Sequence, residues 1–114
     1  MVDWGGEQVT SSEQVESLVA EHPIVALYFS GPDCGVCRDL LPKLEVALAA
    51  DYPKIPLIGV DASLYPAVAA QLQIFTVPTL LIFVDGKESI RRSRNFSPNE
   101  VVTALARPYA LLLE

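Results

Sequence analysis

The fold is decided by residues 24–41, which read IVALYFSGPDCGVCRDLL. The first part of this stretch, 24–29, is an unbroken apolar run, which is typical of a strand covered on both faces in a parallel or mixed sheet. Residues 30–33 interrupt the run, and apolar side chains then recur at helical spacing beyond the two cysteines. The pattern predicts a strand, a short loop and a helix that begins at or near Cys34.

Cys34 and Cys37 are the only cysteines in the chain. A cysteine at a helix N-terminus lies among unpaired backbone amides and the positive end of the helix dipole, and both favour the reactive thiolate. Two intervening residues bring the sulfurs close enough to form a disulfide and to reopen it by exchange. We therefore expect Cys34 to be the accessible nucleophile and Cys37 to be the more buried, resolving thiol.

Length, composition and charge limit the class of protein. A chain of 114 residues that is 51% hydrophobic predicts one domain, residues 1–114, with a substantial core. The net charge of −6 argues against nucleic-acid binding, because no basic excess is available to displace counterions from phosphates. No apolar run reaches membrane-spanning length, and residues 1–7 lack the basic start and apolar stretch of a signal peptide. We expect a reducing cytoplasm, where a CxxC pair is more often catalytic or metal-binding than structural.

Local signals place the other elements. An antiparallel hairpin is predicted at Asp85-Gly86, because Asp-Gly is a strong turn signal between two strand-like runs. The predicted elements are a helix capped by Thr10 with Glu13 and ending near 21, a strand at 55–61, a helix capped by Ser63 and ending near 71, strands at 79–84 and 87–93, and a last helix opened by Ser97, Pro98 and Glu100. Trp4, the only tryptophan, is expected to cover the core or make a short edge contact.

The order of predicted elements is α, β, α, β, α, β, β, α, with the dithiol after the first strand. Two motifs, in this order, resemble the thioredoxin family: the CxxC with Pro42 inside its helix, and Val77-Pro78-Thr79 leading through an apolar strand into Asp85-Gly86-Lys87. The resemblance covers nearly the whole chain. It implies an α/β thioredoxin fold, with a central mixed β-sheet flanked by helices and a cis peptide bond before Pro78.

The resemblance also implies an activity and its residues. By this resemblance the chain reduces protein disulfides through Cys34 and Cys37, and so serves electron transport and cell redox homeostasis. Val77, Pro78, Gly35 and Val36 would bind the substrate, with the Val77 backbone pairing to an extended peptide. It further implies a thioredoxin-reductase-type electron donor and no cofactor or metal beyond the redox-active Cys34–Cys37 disulfide. We expect a monomer, with a dimer through the apolar tail at 109–113 as the alternative.

The chain departs from the family pattern around the cysteines. Tyr28 and Leu57 stand where the family usually has a buried aspartate and its lysine partner, and Asp33 replaces a tryptophan. A tyrosine cannot serve as a base at neutral pH, since its reference pKa is about 10. We therefore expect slow resolution of the mixed disulfide. The helix N-terminus favours the Cys34 thiolate, whereas the negative charge of Asp33 disfavours it, so electrostatics do not show whether the chain reduces or oxidises its substrates. We expect reduction because the expected compartment is reducing.

Several alternative interpretations remain. The cysteines could be half of a zinc site, but only His22 is left as a further nitrogen ligand, and the pair could instead be inert core residues. The chain could also be a thioredoxin-like binding or chaperone module with a weak or regulatory dithiol. The basic cluster at 91–94 is interpreted as solvated edge-strand charge rather than a site for acidic partners. Arg94 falls where the family often has glycine beside the active site, so it could alter which partners fit.

Overall fold

The computed structural model describes residues 8–114, so the expectations for Trp4 and for a signal peptide lie outside the described residues. The predicted order of eight elements is confirmed. The elements are α1 (Ser12–Glu21), β1 (Ile24–Ser30), α2 (Gly35–Asp51), β2 (Leu57–Asp61), α3 (Pro66–Gln71), β3 (Thr79–Val84), β4 (Lys87–Ser93) and α4 (Pro98–Leu112).

The four strands form one mixed sheet in the order β2-β1-β3-β4. Strand β1 pairs in parallel with β2 and antiparallel with β3, and β3 pairs antiparallel with β4. All seven residues of β1 are buried, as the unbroken apolar run predicted. The expected α/β thioredoxin fold, a central mixed sheet flanked by helices, is therefore confirmed.

Alternate residues of β1 face two separate apolar clusters, because successive side chains of a strand point to opposite faces. Ile24, Ala26 and Tyr28 pack with residues of α2 and α4 on one face. Val25, Leu27 and Phe29 pack with residues of α1 and α3 on the other. The molecule is thus a three-layer arrangement with β1 at its centre, and the end of β1 delivers the chain to α2.

Helix α1 begins one residue later than the sequence predicted. Ser11, not Thr10, is the N-cap, and its hydroxyl accepts a hydrogen bond from the Gln14 amide at 3.3 Å. Gln14 Oε1 in turn accepts from the Thr10 amide at 2.6 Å. The cap is therefore a Ser-x-x-Gln arrangement, because the glutamine side chain reaches back to the residue before the cap.

Two other predicted starts are wrong. Ser63 does not cap α3: Tyr65 is the N-cap residue without a side-chain cap bond, and the Ser63 hydroxyl donates to Asp61 Oδ1 at 2.7 Å. Strand β2 begins at Leu57 rather than at residue 55, since Pro56 lacks the amide that a ladder needs. The capping box of Ser97 and Glu100 at the start of α4 is confirmed.

Candidate active site

The two cysteines lie where the loop after β1 enters helix α2. Cys34 is the N-cap residue of α2, and its Sγ accepts a hydrogen bond from the Cys37 amide at 3.1 Å. A disulfide joins Cys34 to Cys37, whose Cα atoms are 5.2 Å apart. The sulfur of Cys34 therefore takes the position of a capping oxygen, where a negative charge on it would be stabilised by the amide and the helix dipole.

The two sulfurs differ in their access to solvent. Cys37 is 0% exposed and belongs to the apolar cluster between the sheet, α2 and α4, whereas Cys34 is half-buried. Gly35 and Val36, between them, are exposed, Val36 by 48%. The expected difference in burial between the cysteines is confirmed, so Cys34 is the more accessible residue of the pair.

Tyr28 lies under the buried cysteine. Its phenol is fully buried, and the hydroxyl donates a hydrogen bond to the Cys37 carbonyl oxygen at 2.8 Å. Burial raises the pKa of Tyr28 far above its ordinary value of 10.0, so the phenol stays protonated at neutral pH. The sequence indicated only that Tyr28 replaces the buried aspartate usual in the family. The contact itself depends on how α2 packs over β1, and no local signal encodes it.

The second motif adjoins the first. The Val77–Pro78 peptide bond is cis, as the resemblance implied. A methyl group added to Gly31 would lie 3.7 Å from Val77 Cγ2, and Cys34 and Val77 pack against the same apolar cluster. The loop that leads into Cys34 and the loop before Pro78 are therefore neighbours.

Side-chain hydrogen bonds hold the loop before Pro78 in place, but the backbone amide and carbonyl of Val77 take no part in them. Thr79 Oγ1 donates to the Thr76 carbonyl at 2.7 Å and lies 2.9 Å from Ser93 Oγ. Neither the amide nor the carbonyl of Val77 bonds to another residue in 8–114. An anchored loop with a free donor and acceptor is the geometry that an added peptide strand requires.

An apolar groove runs from Val77 along α3. Its volume is about 320 Å³, and its walls include Ala62, Pro66, Ile74 and Phe75. The Phe75 side chain is 88% exposed, unlike the apolar side chains of the core. The groove lengthens the surface beside the cysteines, and the sequence analysis did not identify it, because its walls come from the separate segments 62–70 and 74–77.

Residues 7–107 match the family model described as Thioredoxin. The chain belongs to the thioredoxin family. It is 35% identical over 97 residues to the thioredoxin-like protein YdfQ of Bacillus subtilis, an alignment that covers 85% of this chain and 86% of that one. It is 40% identical over 81 residues to a thioredoxin of Chlamydia trachomatis, covering 71% and 78% of the two chains.

Solved structures of thioredoxins share the fold. The thioredoxin of Fasciola hepatica, 28% identical, superposes with a TM-score of 0.76 over 86% of this chain and 97% of that one. Mitochondrial thioredoxin 3 of Saccharomyces cerevisiae in its oxidized form, 19% identical, gives a TM-score of 0.80 over 89% and 93%. This thioredoxin family member, with its Cys34–Cys37 disulfide, is a thiol-disulfide oxidoreductase of the protein-disulfide reductase class.

The remaining candidate ligands and helices do not form a metal site or a membrane span in the described residues. Within residues 8–114, no three His, Cys, Asp or Glu side chains are grouped so as to hold a metal ion. His22 is the C-cap residue of α1. None of the helices in the described part of the chain has the length and apolar character that crossing a bilayer requires.

Proposed function

We propose that Cys34 is the nucleophile and Cys37 the resolving thiol. The thiolate of reduced Cys34 attacks one sulfur of a substrate disulfide, forming a mixed disulfide and releasing the other substrate sulfur as a thiolate, which takes a proton from water. Cys37 then loses its proton and attacks Cys34 Sγ, which breaks the mixed disulfide and releases the second substrate thiolate. Two electrons pass to the substrate, and the chain ends with the Cys34–Cys37 disulfide. The observation that carries these roles is the unequal burial of the two sulfurs.

We assign substrate binding to Val77, Pro78, Gly35 and Val36. The free amide and carbonyl of Val77 supply hydrogen bonds for an extended substrate segment, as in other strand additions. Gly35 and Val36 are exposed beside Cys34, so they form the surface against which the substrate sulfur must lie. Pro78 cannot donate a hydrogen bond and leaves the pairing to its neighbour.

The proton of Cys37 is the difficult part of the second step. Tyr28 occupies the place beneath Cys37, and its raised pKa prevents it from accepting that proton near neutrality. We infer that the proton leaves through water or a substrate group, so resolution is slow and follows ionisation of Cys37 itself. Stopped-flow rates of mixed-disulfide resolution should rise steadily between pH 7 and 9. A plateau near neutrality would contradict this proposal, since it would indicate an internal base.

We propose that a dithiol donor of the thioredoxin-reductase type reduces the Cys34–Cys37 disulfide again, in the cytoplasm, as part of electron transport and redox homeostasis. The family supports this assignment. No cofactor other than the cysteine pair is required, because the pair itself carries the two electrons. Equilibration with glutathione buffers will give the reduction potential, and a value more oxidising than the glutathione couple would reverse the proposed direction.

Insulin reduction by dithiothreitol, followed by turbidity, tests the cysteine roles. The native chain should accelerate precipitation, and Cys34→Ser should match the reaction without protein. Cys37→Ser, reduced and then mixed with insulin in the absence of dithiothreitol, should accumulate a mixed disulfide, because it has no resolving thiol. If the native chain and Cys34→Ser are indistinguishable, the dithiol is not catalytic towards proteins. The exposed Val36 and Phe75 would then favour the binding-module interpretation.

A further inference from the structure

Arg94 follows strand β4 and reaches the loop that precedes the cis peptide bond. Its amide donates to the Pro78 carbonyl at 2.8 Å, and its guanidinium Nε lies 3.4 Å from Thr76 Oγ1. Backbone and side chain of Arg94 therefore contact the residues on both sides of Val77. The arginine side chain is exposed, and it lies at the edge of the surface where a substrate strand would add.

The backbone of Arg94 is in the left-handed region, with φ 65°. This conformation suits glycine and is unfavourable for a long side chain, because its Cβ approaches the following carbonyl. Two other non-glycine residues, Gln73 and Asp85, share it, so the backbone alone does not indicate a function. It does show that an arginine occupies a place where glycine would fit with less strain.

The guanidinium of Arg94 has unused hydrogen-bonding capacity. Of its five N–H donors, only Nε bonds to a residue in the described chain, and the ion pair found there joins Arg91 to Glu88 instead. A chain with net charge −6 thus presents an uncompensated cation beside its redox site. The two outer nitrogens form a planar fork that matches the two oxygens of a carboxylate.

We propose that Arg94 is a specificity-determining residue that selects protein disulfides with an aspartate or glutamate within two residues of the attacked cysteine. The proposal rests on the proposed function, because it assumes that the substrate pairs with Val77. A strand on Val77 passes Thr76 and Arg94, so its neighbouring side chains come within reach of the free guanidinium nitrogens. A carboxylate there offers a negative charge and two acceptor oxygens to the guanidinium, whereas an amide offers one neutral oxygen and a lysine offers no acceptor.

The test uses three disulfide-linked peptides that differ in one residue next to the cystine, which is Glu, Gln or Lys. With dithiothreitol as electron donor, the native chain should reduce the Glu peptide with a kcat/KM roughly five- to tenfold above that of the Gln peptide. The Lys peptide should be slower than both. The preference should shrink in 0.5 M salt, because an exposed ion pair is screened.

Variants distinguish the effect of the Arg94 guanidinium from that of the backbone turn at residue 94. Arg94→Gln should reduce the Glu and Gln peptides at equal rates, because the charge that distinguishes them is gone. Arg94→Lys should keep part of the preference. Arg107→Gln, which removes the same charge from an exposed position on α4, should keep all of it. Equal rates on the three peptides with the native chain, or an unchanged preference in Arg94→Gln, would overturn the proposal.

The same assay distinguishes this proposal from the proposed function. If no peptide is reduced faster by the native chain than by Cys34→Ser, the catalytic role of the dithiol fails. If all three are reduced equally and Cys34→Ser is inactive, only the role of Arg94 fails.

Discussion

Tyr28 gives the cysteine pair a different buried neighbour from the aspartate that is usual in the family. Its buried hydroxyl donates to the Cys37 carbonyl, in a region otherwise filled by apolar side chains. Tyr28→Phe should lower the free energy of unfolding by about 1–2 kcal/mol, because a buried carbonyl loses its donor. Urea titration of the oxidised protein measures the change.

Tyr52 supplies the matched control for this variant. Its hydroxyl also donates to a main-chain carbonyl, that of Val102, at 2.6 Å. Tyr52→Phe should reduce stability but leave the reduction potential of the cysteine pair unchanged, whereas Tyr28→Phe should change both. A Tyr28→Phe variant as stable as the native chain would contradict this account of the bond.

The pKa of Tyr28 predicts how stability depends on alkaline pH. Burial raises this pKa above the ordinary value of 10.0, so the folded chain holds the phenol proton more tightly than the unfolded chain does. The buried, protonated phenol therefore makes its full contribution to the free energy of unfolding below about pH 10, and this contribution is lost as the pH rises further. Between pH 9 and 11, unfolding free energies should fall less steeply for Tyr28→Phe than for the native chain. Equal slopes would show that Tyr28 ionises normally.

At the scale of elements, Asp61 joins the end of β2 to the turn before α3. Its Oδ1 accepts hydrogen bonds from the Ser63 amide at 2.9 Å, the Ser63 hydroxyl at 2.7 Å and the Leu64 amide at 3.2 Å. Burial of this carboxyl opposes its ionisation, but the bonds from Ser63 and Leu64 outweigh burial and lower its pKa below 3.8. The carboxylate thus organises the turn that leads to the groove.

Replacing Asp61 should destabilise the protein in a pH-dependent way. Because folding lowers the pKa of Asp61, its ionised carboxylate stabilises the folded chain at pH values above the ordinary pKa of 3.8. This stabilisation is lost as the pH falls below 3.8 and the carboxylate takes up a proton. Asp61→Asn should therefore cost about 1–2 kcal/mol at pH 7, and the difference from the native chain should narrow towards pH 3. Ser63→Ala, which removes one donor, should cost less. A constant difference from pH 7 to 3 would exclude the charge as the cause.

Arg91 is an unexpected link between β4 and the end of α3. Its guanidinium donates to the Leu72 carbonyl at 2.8 Å and the Gln73 carbonyl at 3.1 Å, while Glu88 pairs with it at 2.9 Å. The interpretation of Arg91 as a freely solvated charge is therefore wrong. This arginine holds the segment from which Phe75 and Val77 follow.

Arg91→Ala should loosen that segment without disturbing the cysteines. We expect faster amide hydrogen exchange at 73–77. If the loop binds substrate as proposed, KM for protein disulfides should rise several-fold with little change in kcat, since the loop takes no part in the exchange reaction. Arg107→Ala serves as the control for a lost charge on the surface. Unchanged exchange at 73–77 would contradict the anchoring role.

Over the whole molecule, the sequence was most informative where the signals are local. The apolar runs of β1 and β3 and the Asp-Gly turn predicted the element order, because each depends only on neighbouring residues. The caps of α1 and α3 were missed, because Ser11 and Asp61 compete with the residues that the pattern favoured. The contact of Tyr28 with Cys37 and that of Arg94 with Thr76 join distant segments, so no local pattern could predict them.

The oligomeric state is a further expectation at this scale. We expect a monomer, with a mass near 12.4 kDa by light scattering at micromolar concentration. Leu111 is 70% exposed near the end of α4 and is the side chain to test. Leu111→Glu should leave the mass unchanged. Twice that mass for the native chain, reduced to the single value by this variant, would establish the tail as a dimer contact.

The enclosure of Cys37 has a practical consequence for measuring how often the molecule opens. In the dithiol form, a bulky maleimide should attach to Cys34 in the folded protein, whereas Cys37, which is 0% exposed, should react only after a local opening around the start of α2. When the reagent is concentrated enough to react before the site closes again, the second mass increment appears at the rate of that opening. Cys37 is thus a natural reporter of this opening, and mass spectrometry of the maleimide adducts measures it without an engineered cysteine.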